Sequence, residues 1–208
     1  MASYRGHLAF SSALGAAYGG LAAWQLHLGW GPIVLGAGLT TVGGLLPDLD
    51  SDNGVPVREL FGLLAAVVPM LLLRRLLRED LPLDESLASV AIVYVAIRYG
   101  LSQLFRRLTV HRGMFHSLPA MCIAGLAVFL IDKGSPTSVR LFLAGGVMIG
   151  FLSHLILDEV CSVDFLGLRV KKSAGTALKL ASKSWLATLT CYAVLLALGV
   201  LACRDLTP

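Results

Sequence analysis

The residues able to do chemistry in this chain stand at the ends of its apolar runs. His7 opens the first run. Asp48 and Asp50 close the second, in Leu46-Pro47-Asp48-Leu49-Asp50. His111 and His116 open the fifth, in His111-Arg112-Gly113-Met114-Phe115-His116-Ser117, and His154 and Asp158 close the sixth. Of the five histidines, His27 alone stands apart. Imidazole and carboxylate in one set suit zinc, manganese or iron better than calcium or magnesium, and such an ion lowers the pKa of a coordinated water to about 7. The local spacings agree with this chemistry. His154 and Asp158 stand at i and i+4 on one helix face and can reach one ion. Asp48 and Asp50 stand at i and i+2 after a proline, which favours an extended or turning backbone there. His111 and His116 suit a loop entering a helix, with Gly113 permitting the turn. Around these ligands, Asp50 or Asp158 is placed to handle a proton. The planar fork of Arg112 suits an anionic substrate group, and Ser117 can add a supporting hydrogen bond.

The elements that position these residues must be membrane helices. The chain has 208 residues, 56% hydrophobic and 14% charged, with a mean hydropathy of +0.78. Soluble domains carry about 25% charged residues, so lipid is the natural solvent of so apolar a chain. Windows at 8–27, 31–46, 58–77, 85–105, 116–132, 140–157 and 184–203 read as helices. The second is short and glycine-rich and reads as a partial span, and the fourth carries Arg98 inside it. The expected fold is all-α, a polytopic transmembrane helical bundle of about six to seven spans, forming a single membrane-embedded domain over 1–208. Threading the chain through these windows brings His7, Asp48, Asp50, His111, His116, His154 and Asp158 to one face, although no window was chosen for that purpose, and leaves His27 on the other. The shared face also holds the larger share of Lys and Arg, which makes it cytoplasmic by the positive-inside rule. Gly15 with Gly19, and Gly146 with Gly150, have the spacing that lets helix backbones approach closely; the expectation is packing within one subunit. The stretch 164–183 mixes apolar residues with Lys171, Lys172, Lys179 and Lys183 and reads as an interfacial segment suited to anionic headgroups. No stripe of interleaved basic and aromatic residues suggests nucleic acid. The four cysteines form no CxxC pair and read as small buried hydrophobes.

Taken together, Gly6-His7-Leu8-Ala9-Phe10-Ser11, Leu45-Leu46-Pro47-Asp48-Leu49-Asp50, the HRG-containing stretch from His111 to Leu118, and Gly150-Phe151-Leu152-Ser153-His154 with Asp158 resemble the YdjM-like family of inner-membrane metal-dependent hydrolases. These pieces occur in the family's order over about three quarters of the chain. The resemblance implies a small helical membrane protein and carries the metal-ligand role onto His7, Asp48, Asp50, His111, His116, His154 and Asp158. Three departures accompany it. Ser51 stands where the family often has histidine, Phe115 where threonine is usual, and Val163–Leu168 lacks the Pro- and Trp-rich character of the corresponding region.

The resulting expectation is an enzyme. It is a membrane-bound hydrolase using one or two divalent ions, zinc foremost and manganese or iron next, that cleaves a phosphoester, ester or amide bond of a lipid or lipid-linked substrate. Asp50, Asp158 and Arg112 are its expected catalytic residues, and Arg112, Ser117, Lys171 and Lys172 its expected substrate contacts. The alternatives are a metal transporter, which would place ligands near mid-membrane on broken helices, and a non-catalytic membrane protein with a structural metal.

Overall fold

The structure is a computed structural model that describes residues 3–26, 28–50, 61–62, 64–66, 68–69, 72–73, 76, 81–103, 114, 116–161, 163–164, 169–170, 179–182 and 184–207, with backbone alone at 49–50, 163–164 and 169–170. Within the expected single domain, packing groups the chain into two compact units, residues 1–48 with 112–208, and residues 49–111.

All seven expected windows carry helix among their described residues. The first unit contains α1 (Tyr4–Gln25), α2 (Trp30–Gly43), α4 (Leu118–Ile131), α5 (Thr137–Val160) and α6 (Trp185–Leu206). A 3-10 turn, Pro47–Asp50, follows α2. After α5 comes a two-residue antiparallel ladder, β1 (Val163–Asp164) with β2 (Arg169–Val170). The second unit contains helical residues between 61 and 76 and α3 (Leu83–Val95), which continues as a π-helical turn over Ala96–Leu101. Arg98, the charge inside the fourth window, lies in that turn. Ser102 Oγ donates to the Arg98 carbonyl at 2.6 Å, so a side chain takes up one of the backbone acceptors that such a turn displaces.

Local chemistry sets the helix starts. Ser3 caps α1 by accepting from Gly6 N at 3.2 Å, and Ser184 caps α6 by accepting from Ala187 N at 3.3 Å. Each satisfies one of the amide donors that a helix N-terminus leaves open. The described helix lengths match the expectation of about six to seven spans only in part. Among the described residues, α5 with 24 residues and α6 with 22 are long and apolar enough to cross a membrane unaided. The 14 residues of α2 and of α4 reach about 21 Å at 1.5 Å per residue, against a hydrocarbon core of about 30 Å. Helix α1 has the length, with 22 residues, but Gly6, Gly15, Gly19, Gly20, Ser11 and Ser12 dilute its apolarity.

Two of the glycine pairs mark where helices meet. A Cβ at Gly15 would collide with the Ala37 carbonyl of α2, and one at Gly150 of α5 would collide with the Thr40 carbonyl on the same helix. Helix α2 therefore packs against both α1 and α5 at backbone distance, as the small-residue spacing predicts within one subunit. Tyr18 of α1 stacks on Phe142 of α5 with ring centroids 4.8 Å apart, and its hydroxyl donates to the Phe142 carbonyl at 2.9 Å. Helix α4 packs on α5 and α6. At the N-terminal end of α5, buried Arg140 pairs with Asp205 of α6, donates to the Phe129 carbonyl of α4 at 3.0 Å, and lies 4.0 Å over the Phe129 ring. Helix α5 is largely buried and α6 almost wholly exposed. Trp185, Leu189 and Leu196 stand out on α6, with Leu196 70% exposed, an apolar surface larger than water-soluble monomers leave uncovered. The four cysteines are free, and Cys203, expected to be buried, is exposed on this apolar helix.

The backbone contact at Gly150 yields a stability prediction. Gly150→Ala should lower unfolding free energy in detergent by about 1–3 kcal/mol, the usual cost of overpacking. Gly20→Ala, with nothing within 4 Å of the added carbon, should be neutral or stabilise by up to about 1 kcal/mol. Chemical denaturation followed by circular dichroism reads both.

Candidate metal centre

Four pieces of the first unit converge where α1 begins, α2 has just ended, α4 is about to begin and α5 is closing. His7 lies in the second turn of α1, Asp48 on the 3-10 turn after α2, His116 immediately before the N-cap of α4, and His154 and Asp158 one turn apart on α5. The polar edge of each element is turned to the others. His7 is 2% exposed, His154 1%, Asp158 4% and His116 8%, while the side chain of Asp48 is 18% exposed.

His154 organises the group. Its Nδ1 lies 2.7 Å from the Gly44 carbonyl oxygen. A carbonyl only accepts, so Nδ1 carries the hydrogen and Nε2 presents its lone pair. That Nε2 is buried, has no hydrogen-bond partner among the described residues, and stands 3.5 Å from Asp48 Oδ1 and 3.8 Å from Asp158 Oδ2. His116 Nε2 is 3.9 Å from each of those same two oxygens. His7 Nε2 is 3.2 Å from the other oxygen of Asp158, Oδ1. The His7 and His154 rings stack with centroids 3.7 Å apart and an interplanar angle of 13°.

These residues fit a divalent ion. An unpartnered polar atom in the interior costs about 1–3 kcal/mol, so a buried imidazole lone pair aimed at two carboxylates asks for a cation. Bonds of about 2.0–2.2 Å at tetrahedral angles separate ligand atoms by about 3.3–3.6 Å, close to the spacing found here. Two overlapping triads meet this requirement, His7 with His154 and Asp158, and Asp48 with His116 and His154.

Five of the seven expected metal ligands therefore gather, and the i, i+4 reading of His154 and Asp158 holds. The backbone of Asp50 follows Asp48 on the 3-10 turn; its side chain lies outside the described residues, as do His111, Arg112, Lys171, Lys172, Lys183 and His27. Ser117, expected near substrate, is fully buried as the N-cap of α4. It accepts from Ala120 N at 3.3 Å and donates to the Met114 carbonyl. Its one donor is therefore committed to the loop that holds His116. Lys179 of the basic segment comes beside this cap, where its carbonyl accepts from Leu118 N at 3.2 Å. The Gly44 carbonyl, which sets the His154 tautomer, is a functional group that residue types alone do not reveal. The only local signal is that the paired glycines Gly43 and Gly44 stand five and four residues before Asp48.

The cap has a measurable consequence. Ser117→Ala should cost about 0.5–2 kcal/mol of stability, and Ser117→Thr, which keeps the hydroxyl, should cost less. Thermal unfolding in detergent distinguishes the two.

A sequence profile described as YdjM inner membrane protein matches residues 1–202. No curated protein and no solved structure matches the chain.

Proposed function

Because the chain belongs to the YdjM inner membrane protein family, we propose that it is a membrane-bound, metal-dependent hydrolase acting on a phosphoester of a lipid or lipid-linked substrate at the cytoplasmic membrane face. The observation that carries the metal requirement is the buried Nε2 of His154, which presents a lone pair to two carboxylate oxygens. Asp48, His116, His154 and Asp158, with His7 beside them, would hold the ion. When bound, a divalent ion supplies an activated water and an electrophile for the bond under attack.

The chain's own residues have separate tasks in this reading. Both oxygens of Asp158 face histidine nitrogens, which suits it to holding rather than to proton transfer. Proton transfer falls to Asp50, two residues beyond Asp48 on the same turn. Arg112, four residues before His116, binds the anionic group and offsets charge that builds on the substrate oxygens. Lys171 and Lys172, on the segment after α5, hold the headgroup region. The exposed apolar face of α6 and the apolar length of α5 support a bilayer setting, in which the short helices α2 and α4 complete a bundle rather than span alone. The larger share of Lys and Arg on the threaded face of the ligands supports the cytoplasmic side.

Elemental mass spectrometry on the detergent-purified chain tests the reading. About one or two equivalents of zinc, manganese or iron are expected, lost in His154→Ala and Asp48→Ala. Metal-loaded Asp50→Asn should keep its ion and lose about 10²–10⁴-fold in phosphate release from phospholipids or lipid-linked phosphates. Well-folded protein that holds no stoichiometric metal after reloading sinks the proposal. Uptake of the metal into proteoliposomes without any hydrolysis would identify a transporter instead.

A further inference from the structure

The two triads share one atom, and that restricts what they can hold. His154 belongs to both, and its Nδ1 is committed to the Gly44 carbonyl. Only Nε2 remains, with a single lone pair, so His154 can serve one ion and not two. A single centre accounts for both triads, and its ligands can be told apart by which oxygen of Asp158 each nitrogen faces. His154 Nε2 and His116 Nε2 face Oδ2, at 3.8 and 3.9 Å. The same two nitrogens face Asp48 Oδ1, at 3.5 and 3.9 Å. The four nitrogen-to-oxygen distances are near-equal and close to those that ligands of one ion keep. His7 stands outside this set. Its Nε2 lies on Oδ1 of Asp158 at 3.2 Å, a hydrogen-bonding distance. Its Nδ1 has no hydrogen-bond partner among the described residues, and a carboxylate oxygen accepts, so Nε2 carries the hydrogen that Asp158 receives.

We propose that the described cluster is a single-ion centre with Asp48, His116, His154 and Asp158 as ligands, and that His7 is a positioning residue whose Nε2–H holds the Asp158 carboxylate so that Oδ2 is turned to the ion. This rests on the metal-dependent reading above and departs from the expectation that His7 is itself a ligand. Two contacts give His7 this task. The Asp158 carboxylate would otherwise be free to rotate about its terminal torsion and exchange its oxygens. The stacking of His7 on His154 at 3.7 Å further ties the orientation of one ligand ring to α1. Hydrogen bonds that orient a ligand in this way typically contribute about 10–100-fold to metal affinity.

The role separates from ligation by substitution at one position. The terminal amide nitrogen of glutamine can donate from near the place of His Nε2, the amide oxygen is a far poorer ligand than imidazole for these ions, and leucine offers neither. Full-length protein in detergent is stripped and reloaded with whichever of zinc, manganese or iron the wild type retains. Its metal content is then measured, and its affinity is obtained by competition with a chromogenic chelator. The expected result is one equivalent in wild type, His7→Gln and His7→Leu alike. Affinity should fall about 10–100-fold in His7→Leu and largely recover in His7→Gln, whereas His116→Ala and Asp158→Asn should lose stoichiometric metal. Two equivalents in wild type and one in His7→Leu would overturn the single-ion centre. A His7→Gln protein as weak as His7→Leu would overturn the positioning role, because the missing lone pair would then be the cause. Either result leaves the hydrolase reading intact, whereas wild-type protein that holds none of the three metals overturns both. Size-exclusion profiles and helical circular dichroism confirm folding, and if His7→Leu fails to fold, the His7→Gln comparison with wild type still decides.

Discussion

Helices α1, α2 and α5 meet at backbone distance, and the rest of the first unit follows from that approach. Where α5 crosses α2, the Cα of Gly150 lies against the Thr40 carbonyl, and where α1 crosses α2, Gly15 lies against Ala37. Van der Waals contact between backbones is available only where side chains are absent, and in lipid it replaces the hydrophobic effect as the force between helices. The consequence is positional. Gly150 is one turn before His154, and Gly44, directly after α2, offers the carbonyl that His154 Nδ1 meets at 2.7 Å. The same close approach that packs the helices therefore sets which nitrogen of His154 is bare.

Burying imidazoles and carboxylates together is costly, and the structure distributes that cost unevenly. Asp158 is enclosed and answered by histidines on both oxygens, while Asp48 keeps partial exposure. A cluster of this kind is stable only when its lone pairs are met, and the bare Nε2 of His154 is the place where a cation would meet one. The opposite end of α5 is managed differently. There Arg140 is matched by Asp205, by the Phe129 carbonyl and by the Phe129 ring, so the charge is satisfied within the protein. One helix thus carries a closed polar lock near one terminus and a cluster with open valence near the other. The lock also ties α6, which buries little of itself, to the helices that build the site.

Much of this was legible in the chain. The windows of apolar residues locate helices because hydrophobicity sustained over about 20 residues has few other uses, and the His and Asp pairs at their ends stand out because ionisable groups in such surroundings are rare. The spacing of His154 and Asp158 specifies a shared helix face through the 3.6-residue period. The glycine pairs at 15 and 19, and at 146 and 150, announce close packing within the subunit. What the sequence did not show depends on helix length and three-dimensional neighbours. Composition does not show that α2 ends at Gly43 or that α4 begins only at Leu118, because Leu45, Leu46 and the residues around His116 are as apolar as helix interiors. Ser117 looks like a site hydroxyl in the string His116-Ser117, yet a capping role depends on where the helix starts.

The sequence by itself determined the all-helical character, the approximate places of the helices and the His and Asp residues that gather at the helix ends, because these follow from local periodicity and from the transfer energetics of single side chains. It also determined family membership, since the ordered motifs run through about three quarters of the chain. Only the tertiary structure decided which oxygen of Asp158 faces which histidine, that the Gly44 carbonyl orients His154, and that two triads share one nitrogen. Those are relations between atoms from helices more than a hundred residues apart in sequence, as with His7 and Asp158. No local pattern encodes them, because they arise when packing brings the helix ends to within hydrogen-bonding distance.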